Sequence, residues 1–143
     1  MAAGAVVCLA ACSSGSVDIG TTDLSAADAK SCTAFAAALP DSVGDQERRD
    51  ITGDYGAAYG DPPILVLCGV PNPDELMTTC VRVNGVDWYE REPDEDGAVV
   101  AVTVGREPRV QLKVPRQDVP LDAEYVDVAD AVKASTRKVG RCS

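Results

Sequence analysis

Residues 80–89 read Cys-Val-Arg-Val-Asn-Gly-Val-Asp-Trp-Tyr, and this stretch decides the fold class. β-Forming residues alternate on either side of Asn84-Gly85. Both central positions of a two-residue type I′ turn need positive φ, which Asn and Gly adopt at the least cost. The pair therefore predicts a tight antiparallel hairpin. In it Val83 faces Val86, and Arg82 lies opposite Asp87 as a cross-strand pair of opposite charge. Neighbouring strand residues point to opposite faces, so Trp88 and Tyr89 are expected on different sides of the sheet.

Working outward, Val99 to Val104, a Gly105-Arg106-Glu107-Pro108 connection and Arg109 to Val114 read as a second hairpin. Upstream, Pro62 and Pro63 lead into Ile64-Leu65-Val66-Leu67, a continuous apolar run that suggests a strand buried on both faces. Before it, Asp41 to Asp61 is polar and Gly-rich, and Arg48-Arg49 within it read as a solvated or salt-bridged pair. Two segments carry helical signals. Ser25 is an N-cap with Asp28 three residues on, and the Ala-rich run behind it ends at Pro40, with Ala29, Cys32, Ala36 and Leu39 on one side. Asp122 to Ser135 repeats the pattern, with Tyr125, Val128, Ala129 and Val132 forming the apolar side. The expected fold is α+β: a mostly antiparallel sheet of about five strands with two helices packed on one face.

Composition narrows the function. The chain has 143 residues, a net charge of -10 and no histidine. Its acidity argues against nucleic acid as a partner, since phosphate backbones repel such a surface. The missing histidine removes Ser-His-Asp and Cys-His nucleophile systems and histidine zinc sites together. Ser135-Thr-Arg-Lys138 matches the S-x-x-K pattern of serine–lysine acyl enzymes but lacks its partner motifs; it reads as a helix C-terminus with basic residues facing the dipole. Asp94-Glu95-Asp96-Gly97 has the acid density of a calcium loop without its ligand spacing, and reads as a solvated turn. No phosphate loop or dinucleotide fingerprint is present, so no cofactor and no metal are expected. Trp88 is the single tryptophan. Its first reading is core packing; its second is a surface contact patch with Arg106 and Arg109.

The amino terminus places the protein. Residues 1–12 read Met-Ala-Ala-Gly-Ala-Val-Val-Cys-Leu-Ala-Ala-Cys. An apolar run, two small residues and a cysteine followed by Ser-Ser-Gly-Ser form a lipobox-like pattern. The small residues suit an intramembrane peptidase, and Cys12 is the expected acceptor of a diacylglyceryl group, with palmitate a typical chain. Residues 1–11 are then a lipoprotein signal peptide, 12–24 the lipidated cysteine and a flexible tether reaching about 20 Å, and 25–143 one domain. No Lys or Arg precedes Lys30, whereas signal peptides carry a basic leading segment; the true translation start is therefore expected upstream. With Cys8 removed, Cys32, Cys68, Cys80 and Cys142 remain, enough for two disulfides with three possible connectivities. The expected pairs are Cys68–Cys80, a short loop, and Cys32–Cys142, which closes about 110 residues.

Several separated motifs also resemble a family. Tyr59-Gly-Asp-Pro-Pro-Ile-Leu-Val-Leu-Cys-Gly-Val-Pro71, Val83-Asn-Gly-Val-Asp-Trp88 and Val104-Gly-Arg-Glu-Pro108 are similar to a domain-of-unknown-function family of small actinobacterial exported proteins and lipoproteins. The likeness runs from about Cys32 to Cys142. Two positions depart from the family pattern, Tyr59 (where Trp is common) and Leu67 (where Arg is common). The resemblance implies an envelope location and carries over no catalytic residue. The expected function is that of a non-catalytic envelope lipoprotein, lipid-anchored on the extracytoplasmic side and acting as an accessory or interaction module for an envelope protein or the cell wall. The alternative is a binding protein for a small ligand or cell-wall fragment. Third comes a hydrolase using carboxylates alone, since any two acids can meet in a fold.

Overall fold

The computed structural model describes residues 15–72, 79–115 and 121–142. Residues 1–14, with the signal peptide and Cys12, lie outside the described residues. In chain order the elements are β1 (Val17–Asp18), α1 (Ala26–Ala38), β2 (Ser42–Val43), β3 (Gln46–Arg49), β4 (Ile51–Thr52), β5 (Gly56–Tyr59) and β6 (Ile64–Cys68). There follow β7 (Val81–Val83), β8 (Val86–Glu90), β9 (Val99–Val104), β10 (Arg106–Glu107), β11 (Val110–Val114), α2 (Asp122–Ser135) and β12 (Arg137–Lys138).

The Asn84-Gly85 turn sets the register of one sheet edge. Both residues have positive φ, 48° and 81°, and Val83 faces Val86, Arg82 faces Asp87 and Val81 faces Trp88. From this edge an eight-stranded sheet extends in the order β7-β8-β9-β11-β6-β5-β3-β2, antiparallel at every pairing. It is larger than the expected sheet of about five strands. The added strands, β2, β3 and β5, come from the polar Asp41–Asp61 stretch.

Both helices cover one face of this sheet. Val66, Cys68, Trp88, Ala101, Val110 and Leu112 of that face share one buried cluster with Cys32 and Phe35 of α1 and Tyr125, Val128, Ala129 and Val132 of α2. The helix starts follow their sequences. Asp28 N donates to Ser25 Oγ at 3.1 Å, and α2 opens with Asp122 and Glu124 in its first turn, where carboxylates suit the helix dipole. α1 has no basic residue in its last turn. Arg48 of β3 supplies the charge instead, donating to Ala36 O at 3.1 Å and Leu39 O at 3.2 Å. Arg49 donates to Gly60 O and Gly15 O. The two arginines thus bind backbone carbonyls, rather than being a solvated or salt-bridged pair.

β6 corrects another expectation. Ile64, Val66 and Cys68 are buried, while Leu65 and Leu67 on the other face are half-buried, so only one face of this strand is fully covered. Its apolar run reflects a central position in an antiparallel sheet, not a parallel one.

The disulfides join Cys32 to Cys68 and Cys80 to Cys142, not Cys68 to Cys80 and Cys32 to Cys142. Sheet order gives the reason. β11, β9 and β8 lie between β6 and the start of β7, placing Cys68 about 19 Å from β7 at ordinary strand spacing, beyond the reach of a disulfide. Cys68 instead faces α1, with its Cα 5.4 Å from that of Cys32.

The amino-terminal segment also departs from its reading as a tether. Val17 and Asp18 pair in parallel with Ile51 and Thr52, and Ile19 N donates to Thr52 O at 2.9 Å. The ordered unit therefore begins before residue 25.

The carboxy-terminal segment is tied at several points. β12 pairs with β10, Val139 N and Gly140 N donate to Gly105 O, and Cys142 N donates to Asp87 Oδ2 at 3.1 Å. Gly105 has φ +70°, and a Cβ there would collide with the backbone of Gly140; only glycine lets the tail lie so close.

Asp87 is the electrostatic centre of this edge. It is 6% exposed and accepts two bonds from Arg82, with Nη2 to Oδ2 at 2.9 Å. The Arg82 hydrogen bond, with help from Cys142 N, outweighs burial and holds the carboxyl down at about 2. A depressed carboxylate contributes stability that is present above the ordinary value of 3.8 and lost as pH falls through about 2. Asp87→Asn is therefore expected to flatten the stability profile between pH 4 and 2. With Arg82 largely in solvent, the pH-dependent part is about 1 kcal/mol; urea titrations of both proteins across that window check it.

Candidate functional site

The proposed patch of Trp88, Arg106 and Arg109 does not assemble on the surface. Trp88 is fully buried, its ring stacked on Tyr125 with centroids 5.0 Å apart and planes inclined by 28°. Tyr125 Oη donates in turn to Glu90 Oε1 at 2.6 Å; burial first, and then Glu90, push its pKa up. The indole is core, and Tyr89 on the opposite face is half-buried.

Arg106 and Arg109 do come together, at a different place. The ends of β6 and β9 and the start of α1 surround a cleft of about 260 Å³, lined by Leu24, Asp28, Gly69 to Asn72 and Arg106 to Arg109. Local sequence builds its walls. Gly69 turns the chain out of β6 with φ +83°, and Leu24 packs where a side chain on Gly69 would sit. Gly69 N and Val70 N donate to Arg109 O at 2.8 and 3.3 Å, fastening one wall to the other. The Cys32–Cys68 disulfide lies at the base of the first wall. Two of the segments that carry the family resemblance, Cys68-Gly-Val-Pro71 and Gly105-Arg-Glu-Pro108, thus meet across this cleft.

The two guanidiniums differ in their surroundings. Arg109 donates from Nε to Asn72 Oδ1 at 2.8 Å and from Nη1 to Thr103 O at 2.6 Å, and burial lowers its pKa. Arg106 is only 8% exposed. Its Nη1 lies 3.4 Å from Thr136 Oγ1 and 3.5 Å from Thr136 O, the long limit of a hydrogen bond. Thr136 is the C-cap of α2, so the charge sits favourably against the helix dipole. Among the described residues Arg106 forms no ion pair. Glu107 beside it pairs outward with Arg137 at 2.9 Å.

A second depression, about 480 Å³, opens on the far end of the sheet and is lined by Pro62, Pro63, Leu65, Asp96, Ala98, Lys113 and Pro115. It is more apolar, and its lining lysine is engaged, since Lys113 Nζ lies 2.9 Å from Asp94 Oδ2. Asp94 also accepts from Asp96 N and Ala98 N through Oδ1, so the acidic run is a turn organised by its first carboxylate. Among the described residues no group of three or more Cys, Asp or Glu is placed to hold a metal ion. Ser135 ends α2, and Lys138 stands exposed in β12.

Of the residues singled out from sequence, Cys32, Cys68, Cys80 and Cys142 are disulfide-bonded, Arg106 and Arg109 line the cleft, and Trp88 is core. Cys12 lies outside the described residues. The sequence reads Asp28 only as part of the α1 cap and Thr136 only as part of the Ser135–Lys138 stretch, and does not single out Asn72; it places none of the three at a site. Asn72, between Pro71 and Pro73, carries the local signal of a turn, and Asp28 that of a helix cap.

No helix of the described residues is long and apolar enough to cross a membrane. The family model described as a protein of unknown function (DUF3515) matches residues 1–139, and the chain belongs to that family. No curated protein and no solved structure matches it.

Proposed function

We propose that this protein is a non-catalytic envelope lipoprotein, exported and held through Cys12 at the outer face of the cytoplasmic membrane, where it acts as an accessory or interaction module. An actinobacterial source suits the motifs of the sequence. The observation that carries the location is the pair of intramolecular disulfides, which persist in oxidising compartments and rarely elsewhere. The lipobox-like Leu9-Ala-Ala-Cys12 supports the anchor, and the absence of histidine supports a binding rather than a chemical role.

Expression in an actinobacterial host tests this reading. The protein is expected in the membrane fraction, with the mass of a chain beginning at diacylated Cys12. Cys12→Ala is expected to release it to the soluble extracytoplasmic fraction. An unprocessed chain in the cytoplasm would overturn the proposal.

The cleft between Gly69–Asn72 and Arg106–Arg109 favours a second reading, in which the module binds a small ligand such as a cell-wall fragment. The cleft places a buried arginine, Arg106, and a half-buried one, Arg109, side by side, a positive spot on a chain of net charge -10. Native mass spectrometry of protein extracted gently from its own envelope is expected to show a reproducible adduct under this reading.

A further inference from the structure

We infer that the cleft is a site for a small zwitterion of amino-acid or dipeptide size. Its carboxylate would be taken by Arg106 and Arg109, and its ammonium group by Asp28. The inference rests on the ligand-binding reading and names the ligand's chemistry.

Three observations carry it. Arg106 has more than nine-tenths of its surface buried, yet among the described residues only Nη1 meets protein acceptors, both on Thr136 and both at 3.4 Å or more. A guanidinium offers five N–H donors, and a buried charge without a counter-charge is costly. No Arg106 nitrogen is both buried and unpartnered, so its remaining N–H groups are open to solvent, and an incoming carboxylate supplies the counter-charge in a geometry that a guanidinium matches well. Second, Arg109 lines the same cleft and is held in place by Asn72 and by the carbonyl of Thr103. Its position is set before any ligand arrives, which reduces the entropic cost of binding. Third, the acids of the cleft are not equivalent. Glu107 is turned outward to Arg137, whereas Asp28 is half-buried in the lining and forms no ion pair among the described residues. The charges thus fit a ligand that carries both signs, and a bare anion would meet the opposing field of Asp28. A volume near 260 Å³ limits the ligand to the smallest members of that class.

The test uses the full chain with D-alanine, L-alanine, di-alanine, acetate and methylammonium as separate probes, followed by thermal unfolding and by titration calorimetry. At least one alanine probe is expected to raise Tm by about 5 °C at a hundredfold excess over its Kd, with acetate and methylammonium giving far less. Arg106→Gln and Asp28→Asn are each expected to weaken that binding by about 10-fold to 100-fold. Asp28→Asn guards against a folding artefact, because its side chain is only half-buried and its cap contact runs through the backbone N–H. Arg82→Gln, outside the cleft, is expected to leave binding unchanged. Equal binding of acetate and the alanine probes, or binding untouched by both cleft variants, would overturn the zwitterion. Should none of the probes bind while an adduct survives native extraction, this inference falls and the ligand-binding reading stands. Neither adduct nor probe binding would end both.

Discussion

Replacing Cys32 and Cys68 together by alanine is expected to lower the folding free energy by about 4 kcal/mol. The bridge closes a loop with a sequence separation of 36, and the chain-entropy argument sets the size of the effect. Small domains have only about 5 to 15 kcal/mol in all, so the variant would sit near the edge of stability. The bridge also joins α1 to a central strand, and both sulfurs lie in the buried cluster, so its loss leaves space that the core must refill. Urea denaturation of the two proteins measures the difference. Digestion of the unreduced protein checks the connectivity at the same time, since it should yield Cys32 linked to Cys68 and Cys80 linked to Cys142. A peptide joining Cys68 to Cys80 would contradict the sheet order itself.

Trp88→Ala is expected to cost about 3 to 5 kcal/mol, the usual range for removing a buried aromatic ring. Aromatic residues are only 4% of the chain, so few other side chains can fill the space beneath α2. The stacked Tyr125 would lose its partner and leave its bond to Glu90 less well fixed. Trp88→Phe makes a sharper comparison. Among the described residues the indole Nε1 has no hydrogen-bond partner, so phenylalanine loses volume and stacking area without losing a polar contact. Its expected cost is about 1 to 2 kcal/mol. Thermal unfolding of both variants separates the packing contribution from any polar role. A phenylalanine variant as unstable as the alanine one would show that the indole nitrogen is bonded after all.

What the sequence revealed depended on how local each signal was. The Asn84-Gly85 turn needs only its own two residues, and register, facing pairs and the Arg82–Asp87 contact all follow from it. α2 was readable from Asp122 to Ser135 because four apolar residues recur at helical spacing and every one of them is buried. The edge of the sheet beyond β6 was not readable. β5 is Gly-Ala-Ala-Tyr, without a β-branched residue, and β3 is Gln-Glu-Arg-Arg; such strands exist because neighbours pair with them, not because of their own preference. The same non-local logic hid the disulfides, since the distance from Cys68 to Cys80 along the chain says nothing of the strands that come between them. Arg106 and Arg109 were singled out for their place beside a surface tryptophan. That reason failed, yet the residues themselves do share a site, because the connection that carries them folds back against the end of β6.

The bond from Arg49 to Gly15 has a mechanical meaning for an anchored protein. Gly15 lies three residues after Cys12, a span of about 10 Å even when fully stretched. An acyl chain on Cys12 would then rivet the domain to the bilayer rather than moor it on a long line. The β3 side of the sheet would stay beside the headgroups, while β7 stands roughly 30 Å across the strands from it. A domain anchored in this way would have little freedom to tumble, and whatever it met would have to approach along the few directions that so short a stem leaves open.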